Sequence, residues 1–372
     1  MKVINVVGAR PNFMKIAPII DAMNLRSEIE HLLVHTGQHY GQKMSQAFFD
    51  DLGLPKPDID LGVGSGSHAV QTAGIMVAFE QVLLEHKPDW VIVVGDVNST
   101  MACTITAKKL NVKVAHVEAG LRSRDMTMPE EINRLCTDVL VDALFTTDHF
   151  ADENLIQEGV PQDKIHFVGN VMIDTLLKHR DKAQDLGTFE RFGLEPGQYV
   201  AMTMHRPGNV DEKSTLQGIL EVLKRLSHDI PIFFPIHPRT AKMISQFGLD
   251  DYVSTIPKDG KKLGPGVWVT DPLGYLDFLN VNMHSRLVLT DSGGLQEETT
   301  VLGIPCVTMR PNTERPITCE MGTNLIVGND PQLIESAVCK ILAGGIGEHR
   351  IPPKWDGKVG QRIVAKLIEL GV

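Results

Sequence analysis

The sequence predicts an α/β protein of two doubly wound halves, each a parallel sheet layered with helices. Three observations carry that expectation. Short apolar runs of strand length alternate with longer stretches of helical periodicity, the pattern of βαβ units. The alternation ends near Gly169 and starts afresh after Gly187, so the units fall into two series. With 372 residues and 42% hydrophobic content the chain can bury sizeable cores, and its length favours two domains over one.

In the first series, apolar runs at residues 2–7, 32–36, 90–95, 113–117, 143–147 and 165–168 read as strands. Helical patterns at 13–23, 70–85, 99–110 and 130–140 lie between them. The second series has strands at 199–204, 232–236, 267–270, 286–290 and 306–309. A polar stretch at 169–175 leads into a charged helix at 176–184, which places the hinge there. The last helix, 359–370, follows a Pro-rich extended stretch (351–355) long enough to cross back to the first half. The expected domains are therefore 1–170 with 355–372, and 171–354. In this architecture a ligand binds at the C-terminal ends of the strands, in a cleft faced by both sheets.

Composition narrows the function. A formal net charge of -10 argues against nucleic acid as the main partner, because phosphate backbones recruit basic surfaces. The five cysteines (Cys103, Cys136, Cys306, Cys319, Cys339) are widely spaced, with no CxxC pair, and read as reduced thiols of a cytoplasmic protein. No leader-like segment opens the chain and no apolar run reaches membrane-spanning length, so no membrane partner is expected. No metal site is expected: His35 and His39 are four apart, but Gly37 interrupts any helix between them. Neither GxGxxG nor a Walker sequence is present, which argues against a dinucleotide or ATP.

The segment 286–303, RLVLTDSGGLQEETTVLG, is the most informative. A buried strand runs into the turn Asp291, Ser292, Gly293, Gly294, and a helix follows, closed by Gly303. N–H groups at such a helix start have no intrahelical partner and carry partial positive charge, so a phosphate is their natural occupant. Glu298, one turn in, is placed to accept from ribose hydroxyls. By itself the segment fits an ordinary capped α/β helix equally well.

Other strand ends add polar groups. The first strand ends in Gly8-Ala9-Arg10-Pro11, with Lys15 a turn later, and Arg10 offers a fork suited to phosphate oxygens. The third ends at Gly95-Asp96, with Ser99 or Thr100 available to cap the next helix. HVEAGLR (116–122) is expected to put His116 and Glu118 on one side of an extended segment. MPEEINR (128–134) starts a helix in which Glu130 and Arg134, four apart, share a face. Asp96, Glu118 and Glu130 converging on one cleft would raise each other's proton affinity, as acid–base work near neutral pH requires. In the second half, His205 with Arg206 and His237 with Arg239 follow two strands and suggest phosphate neutralisation. NTERPIT (312–318) adds Glu314 and Arg315. Tyr275 and Phe278 could receive a planar base, although two core aromatics explain them better.

Taken together, GARP with Lys15, Asp96, HVEAGLR, MPEEINR, HRP, TDSGGLQEE and NTERP closely resemble the non-hydrolysing UDP-N-acetylglucosamine 2-epimerases across essentially the whole chain. The resemblance implies two Rossmann-like domains of GT-B type, with the C-terminal helix returning to the first. It implies interconversion of UDP-GlcNAc and UDP-ManNAc without cofactor or metal, a UDP-sugar as partner, a role in polysaccharide biosynthesis, and a homodimer. By motif position Asp96, Glu118, Glu130 and His205 match catalytic residues, and Arg10, His237, Ser292, Gly293, Gly294 and Glu298 match UDP-binding positions. Arg315 falls in a motif near the sugar, and Lys15, Arg134, Tyr275 and Phe278 complete the expected binding set. Pro207 and Gly208 replace an Arg and a Glu common in the family, Gly41 replaces a Gln, and Val70 a basic residue. Those positions are associated with an activating second UDP-GlcNAc, so that site is expected to be weakened or absent.

The C2 proton of the sugar has no adjacent carbonyl and is not acidic. Expulsion of UDP from C1 makes it labile, so the expected path is anti elimination to a glycal and re-addition with proton delivery to the other face. Asp96 or Glu118 is expected to abstract, and Glu130 to orient or protonate. The alternatives are a GT-B glycosyltransferase using the same UDP cradle, or a 2-epimerase acting on a UDP-diacetamido sugar.

Overall fold

The computed structural model describes residues 1–37, 52–257, 261–344 and 347–371; Gln38, His39 and Gly41 lie outside them. The chain divides into two units, Met1–Lys178 with Pro353–Val372, and His179–Pro352. Each is a seven-stranded parallel sheet layered with helices.

In the first unit the strands are β1 (Lys2–Val7), β2 (Glu30–His35), β3 (Ile59–Asp60), β4 (Trp90–Val94), β5 (Lys113–Ala119), β6 (Ala143–Thr146) and β7 (Ile165–Phe167). Their order is β3-β2-β1-β4-β5-β6-β7, the doubly wound arrangement. β1 and β4 are central and covered on both faces, which is why KVINVV and WVIVV read as continuous apolar runs rather than alternating ones. Ile4, Val6, Val34, Val91, Val93 and Leu144 build the core on one face, joined by Phe79 and Leu83 from the helix His68–His86.

The second unit has β8 (Val200–Met202), β9 (Ile232–Pro235), β10 (Ser254–Thr255), β11 (Val267–Thr270), β12 (Leu287–Thr290), β13 (Cys306–Thr308) and β14 (Asn324–Ile326), in the order β10-β11-β9-β8-β12-β13-β14. Successive residues supply two different cores. Val200, Met202, Phe234, Leu287 and Leu289 face one helix layer, and Tyr199, Ala201, Phe233 and Val288 the other. The strands β3, β10 and β14, of two or three residues each, are additions to the expected set.

The division between units falls inside the helix Val171–Gln184. Its first turns are held by the first unit, where Thr175 Oγ1 donates to Met14 O (2.5 Å) and Lys178 pairs with Asp21 (2.6 Å). Its end belongs to the second, where Asn280 Nδ2 donates to Ala183 O (2.9 Å). The boundary read from the sequence, after residue 170, lies at the start of this helix. The C-terminal helix Val359–Leu370 returns to the first unit and packs on the helix Arg10–Met23. Gly360 permits that approach, since a Cβ there would lie 2.4 Å from Pro18 O. Trp355 Nε1 donates to Thr147 O (3.0 Å) and Gly360 N to Asp174 Oδ2 (2.9 Å).

Each sheet has its winding reversal beside its first strand. In the first unit the reversal lies between β1 and β4, in the second between β8 and β12. The loops following those four strands part at these places, which is where α/β sheets leave room for ligands.

Candidate active site

In the first unit, Asn12 ties the two loops together. Its Oδ1 accepts from Ala9 N (2.9 Å) and Gly8 N (3.3 Å), and its Nδ2 donates to Val94 O (3.0 Å). Lys15, a turn further along, forms a buried ion pair with Glu118 Oε2. Gly95 makes the room: it has φ +67°, and a Cβ there would lie 3.1 Å from Lys15 Nζ and 3.2 Å from Asn12 Nδ2.

Glu118 sits at a register shift of β5 against β6 and has φ +69°. That conformation costs an L-residue roughly 1–2 kcal/mol. The bulge breaks the simple alternation, so His116 and Glu118 have different surroundings rather than sharing one face as expected. His116 is fully buried and spent on structure, with Nδ1 2.6 Å from Asp138 Oδ1 and Nε2 2.8 Å from Gly95 O. Glu118 Oε1 is buried and has no hydrogen-bond partner among the described residues. Asp138 braces the whole HVEAGLR segment, because it also accepts from Gly120 N (3.0 Å) and pairs with Arg122 (2.7 Å). Burial by itself would raise the Asp138 carboxyl, but the charges of His116 and Arg122 hold it below the ordinary carboxylate range.

Asp96 Oδ2 accepts from Arg134 Nη1 (2.5 Å). The same guanidinium donates from Nη2 and Nε to Glu131 Oε2 (2.7 and 3.0 Å). Arg134 therefore pairs with Glu131 and Asp96, not with Glu130 as the i,i+4 spacing suggested. The choice is made by a distant loop: Ser123 N and Arg124 N donate to Glu131 (3.0 and 2.8 Å) and draw it inward. Those N–H groups, with Arg134, overcome burial and hold the Glu131 carboxyl low. Glu130 is half-buried and makes no hydrogen bond or ion pair among the described residues. The expected mutual repulsion of three carboxylates is thus balanced by Lys15 at Glu118 and Arg134 at Asp96. Arg10, the first residue of its helix, is half-buried, which lowers its guanidinium from the ordinary value. Ser99 and Thr100 do not cap; their hydroxyls bond Thr36 Oγ1 (2.7 Å) and Val94 O (3.0 Å).

In the second unit, Ser292 is the N-cap of the helix Gly293–Leu302, and its side chain makes no capping bond. Beneath the turn lies a buried charge network. Arg315 Nε is 2.6 Å from Glu297 Oε1, Arg315 Nη1 is 2.9 Å from Glu314 Oε1, and Arg310 Nη2 is 2.8 Å from Glu314 Oε2. Burial opposes ionisation of Glu314, but the two guanidiniums outweigh it and hold the carboxyl far below its usual value. A Cβ on Gly293 would lie 2.7 Å from Arg315 Nη1, whereas one on Gly294 would meet nothing within 4 Å. Arg315 thus supports the turn from below, and Gly294 leaves its open side clear.

Glu298 accepts from Tyr275 Oη (3.0 Å). Burial, against that hydrogen bond and with help from the charge of Glu297, pushes its carboxyl up to about 7. Tyr275 is thereby a partner of Glu298, and Phe278 packs on the core. Asp291, fully buried, accepts at Oδ2 from His205 N (2.9 Å), Arg206 N (2.8 Å) and Asn209 Nδ2 (3.1 Å). His205 and His237 have ring centroids 5.6 Å apart. His237 Nδ1 accepts from Arg239 N (3.1 Å), and burial, then the charges of His205 and Arg239, lower its pKa. The Arg239 side chain is occupied by Asp211, with Nε 3.0 Å from Oδ1.

In the first unit Lys15 pairs with Glu118 and Arg134 with Asp96, while Arg10 opens the helix after β1; in the second, His205, His237 and Ser292–Gly294 follow β8, β9 and β12, with Glu298 in the helix after β12. Asn12, Glu131 and Asp138 are supporting residues that motif reading missed, and Asp291, read only as part of the polar turn, is a fourth. Only Asn12, an Asx side chain three residues after Ala9 at a helix start, carried a local signal. Among the described residues no group of three or more His, Cys, Asp or Glu side chains is arranged to hold a metal ion.

The profile of the UDP-N-acetylglucosamine 2-epimerase family matches residues 21–368. The UDP-N-acetylglucosamine 2-epimerase of Methanocaldococcus jannaschii is 41% identical over 372 residues, 99% of each chain. The UDP-2,3-diacetamido-2,3-dideoxy-D-glucuronate 2-epimerase of Pseudomonas aeruginosa is 40% identical over 344 residues, 91% of each chain. The crystal structure of the M. jannaschii UDP-GlcNAc 2-epimerase with UDP-GlcNAc and UDP superposes with a TM-score of 0.86 at 40% identity, covering 99% of this chain and 100% of that one. With that likeness spanning both units, the two sheets have the GT-B type of fold that the motifs implied, and the chain belongs to the UDP-N-acetylglucosamine 2-epimerase family.

Proposed function

We propose that the protein interconverts UDP-N-acetylglucosamine and UDP-N-acetylmannosamine by anti elimination of UDP to a glycal and re-addition of UDP. In the forward step the C1–O bond breaks with its electron pair leaving on UDP, and a base takes the C2 proton. In the return step UDP oxygen re-forms the bond to C1 and a proton is delivered to the opposite face of C2. Ser292, Gly293 and Gly294 with Arg10, His205 and His237 stabilise the diphosphate as it gains charge. Glu298 receives the ribose, and Lys15 and Arg134 hold the carboxylates that face the sugar. Asp96 or Glu118 abstracts, and Glu130 orients or protonates.

The observation that carries this reading is Glu118. A structural ion pair needs neither a left-handed backbone nor an orphaned buried oxygen, whereas a general base needs one oxygen held and the other uncommitted. The test is incubation with UDP-GlcNAc in D₂O, without acceptor, followed by NMR. Deuterium at C2 of both intact UDP-sugars is the expected outcome, and Glu118→Gln should slow exchange by about 10²–10⁴-fold with UDP binding retained. Free ManNAc would replace the reading with hydrolysis, and no exchange would remove it. Persistent exchange in the variant would take the base role from Glu118.

A second substrate is favoured by the P. aeruginosa relative, named for a diacetamido-glucuronate sugar and nearly as similar as the archaeal one. Running that UDP-sugar in parallel, and comparing kcat/KM, separates the two. The family likeness and an exposed apolar stripe on the helix His68–His86 support a homodimer. The free thiols of all five cysteines accord with a reducing, cytoplasmic compartment, and UDP-ManNAc is a precursor suited to polysaccharide biosynthesis.

A further inference from the structure

The geometry points to Asp291 as a positioning residue that fixes His205 with its proton on Nδ1, so that Nε2 is its proton-exchanging atom, while neighbouring His237 is held in the opposite tautomer. In the sequence the two histidines look equivalent, each following a strand of the same sheet. Their partners make them different.

Backbone amides and carboxylates are one-way partners, so they settle a tautomer that hydrogen positions alone would leave open. His237 Nδ1 accepts from the N–H of Arg239 (3.1 Å), so its lone pair is there and its proton is on Nε2. His205 Nδ1 instead faces Asp291 Oδ1 at 3.0 Å. A carboxylate oxygen can only accept, and a lone pair turned towards it would be repelled, so the Nδ1 atom of His205 carries hydrogen. The three donors on Oδ2 fix the carboxylate, and Oδ1 is buried beside His205 Nδ1. Those donors also keep Asp291 anionic. Burial favours its neutral form, but His205 and the N–H groups of Arg206 and His205 reverse that and lower its pKa.

The arrangement suits the proposed reaction, on which its catalytic consequence rests. A diphosphate that leaves and returns needs one constant donor, His237 Nε2–H, and one group able to gain and give a proton, His205 Nε2. Asp291 touches neither the diphosphate nor the sugar in this scheme and acts through His205 alone.

Asp291→Asn tests it. The three donors on Oδ2 demand an oxygen at that position, so the amide nitrogen must replace Oδ1. An N–H then points at His205 Nδ1 and forces the proton to Nε2. The full-length protein, labelled with ¹⁵N-histidine, would be examined by two-bond ¹H–¹⁵N correlation at about pH 8.5, well above the ordinary imidazole value. His205→Gln and His237→Gln spectra provide the assignments. Expected are Nδ1–H for His205 and Nε2–H for His237 in the wild type, with His205 alone switching in Asp291→Asn. A switched tautomer should lower kcat by about 10²–10⁴-fold, the scale contributed by one general acid–base group, with KM little changed. Nε2–H on His205 in the wild type overturns the proposal even if the variant does not fold, and so does an unswitched variant. A switched tautomer with full activity overturns the catalytic consequence. A wild type inactive on UDP-sugars but showing the two opposite tautomers would overturn the proposed function and leave the positioning intact.

Discussion

At the scale of single residues, two adjacent glycines separate folding from ligand binding. Gly293 is held by what lies beneath it, the Arg315 guanidinium, whereas Gly294 faces open space and has no positive φ. Gly294→Ala should therefore leave the folded state intact, and replacing Gly by Ala inside a helix even adds about 0.5–1 kcal/mol. The new methyl group would stand where the diphosphate approaches. We expect an unchanged or slightly higher Tm together with a KM for UDP-GlcNAc raised about 10-fold or more; an unchanged KM would mean that the turn does not cradle the diphosphate. This turn was legible in the sequence because glycine, serine and a strand end all act locally. The strand-end positions of Asp96 and Glu118 were legible for the same reason, but the bulge at Glu118 was not. The partner of Arg134 was not, because Ser123 and Arg124 decide it from outside the helix. Nor was the labour of Asp138, whose three partners come from residues 116–122, far from it in sequence.

At the scale of elements, the alternating pattern was sufficient for both sheets, and failed only where a strand has two or three residues and lies near a sheet edge, as at β3, β10 and β14. The return of the C-terminal helix was expected from the length of its linker and from the family resemblance; its docking chemistry could not be read. Asp174 accepts from Gly360 N, one oxygen is left without a partner, and burial pushes its carboxyl up to about 6. Because that value is above the ordinary 3.8, the folded state binds the proton more tightly than the unfolded chain. Stability from this group is therefore greatest below about pH 4 and falls as pH rises towards 6, by roughly 2–3 kcal/mol. Asp174→Asn keeps an acceptor for Gly360 and removes the charge. The Tm difference between variant and wild type should grow from near zero at pH 4 to several degrees at pH 7. A difference independent of pH would show that Asp174 is not the titrating group at this joint.

At the scale of the whole molecule, the first unit's outer helices leave an apolar seam uncovered. Along the helix His68–His86, Val70, Val77 and Leu84 recur every seventh residue and are 67%, 68% and 53% exposed. A seven-residue repeat keeps side chains on one stripe, the spacing that helix-to-helix seams use. Alongside, the helix Asn98–Lys109 separates this stripe from the helix Pro129–Asp138, beside which Ile132, Val139 and Leu140 are also exposed. Scattered exposed apolar residues are ordinary, but a regular stripe on one helix is the kind of surface a second chain can cover. The net charge of -10 does not oppose a second copy here, since Glu80 and Glu85 are the carboxylates exposed on the first helix and both can sit at a polar rim. Val77, at the middle of the stripe, is the position where a charge would do most harm to such a seam and least to the fold, because its side chain is already in water in the single chain. Light scattering on the wild type should give twice the chain mass of 41.0 kDa, and Val77→Glu the mass of one chain with an unchanged circular dichroism spectrum. A monomeric wild type, or a variant that remains a dimer, would remove this face as the interface.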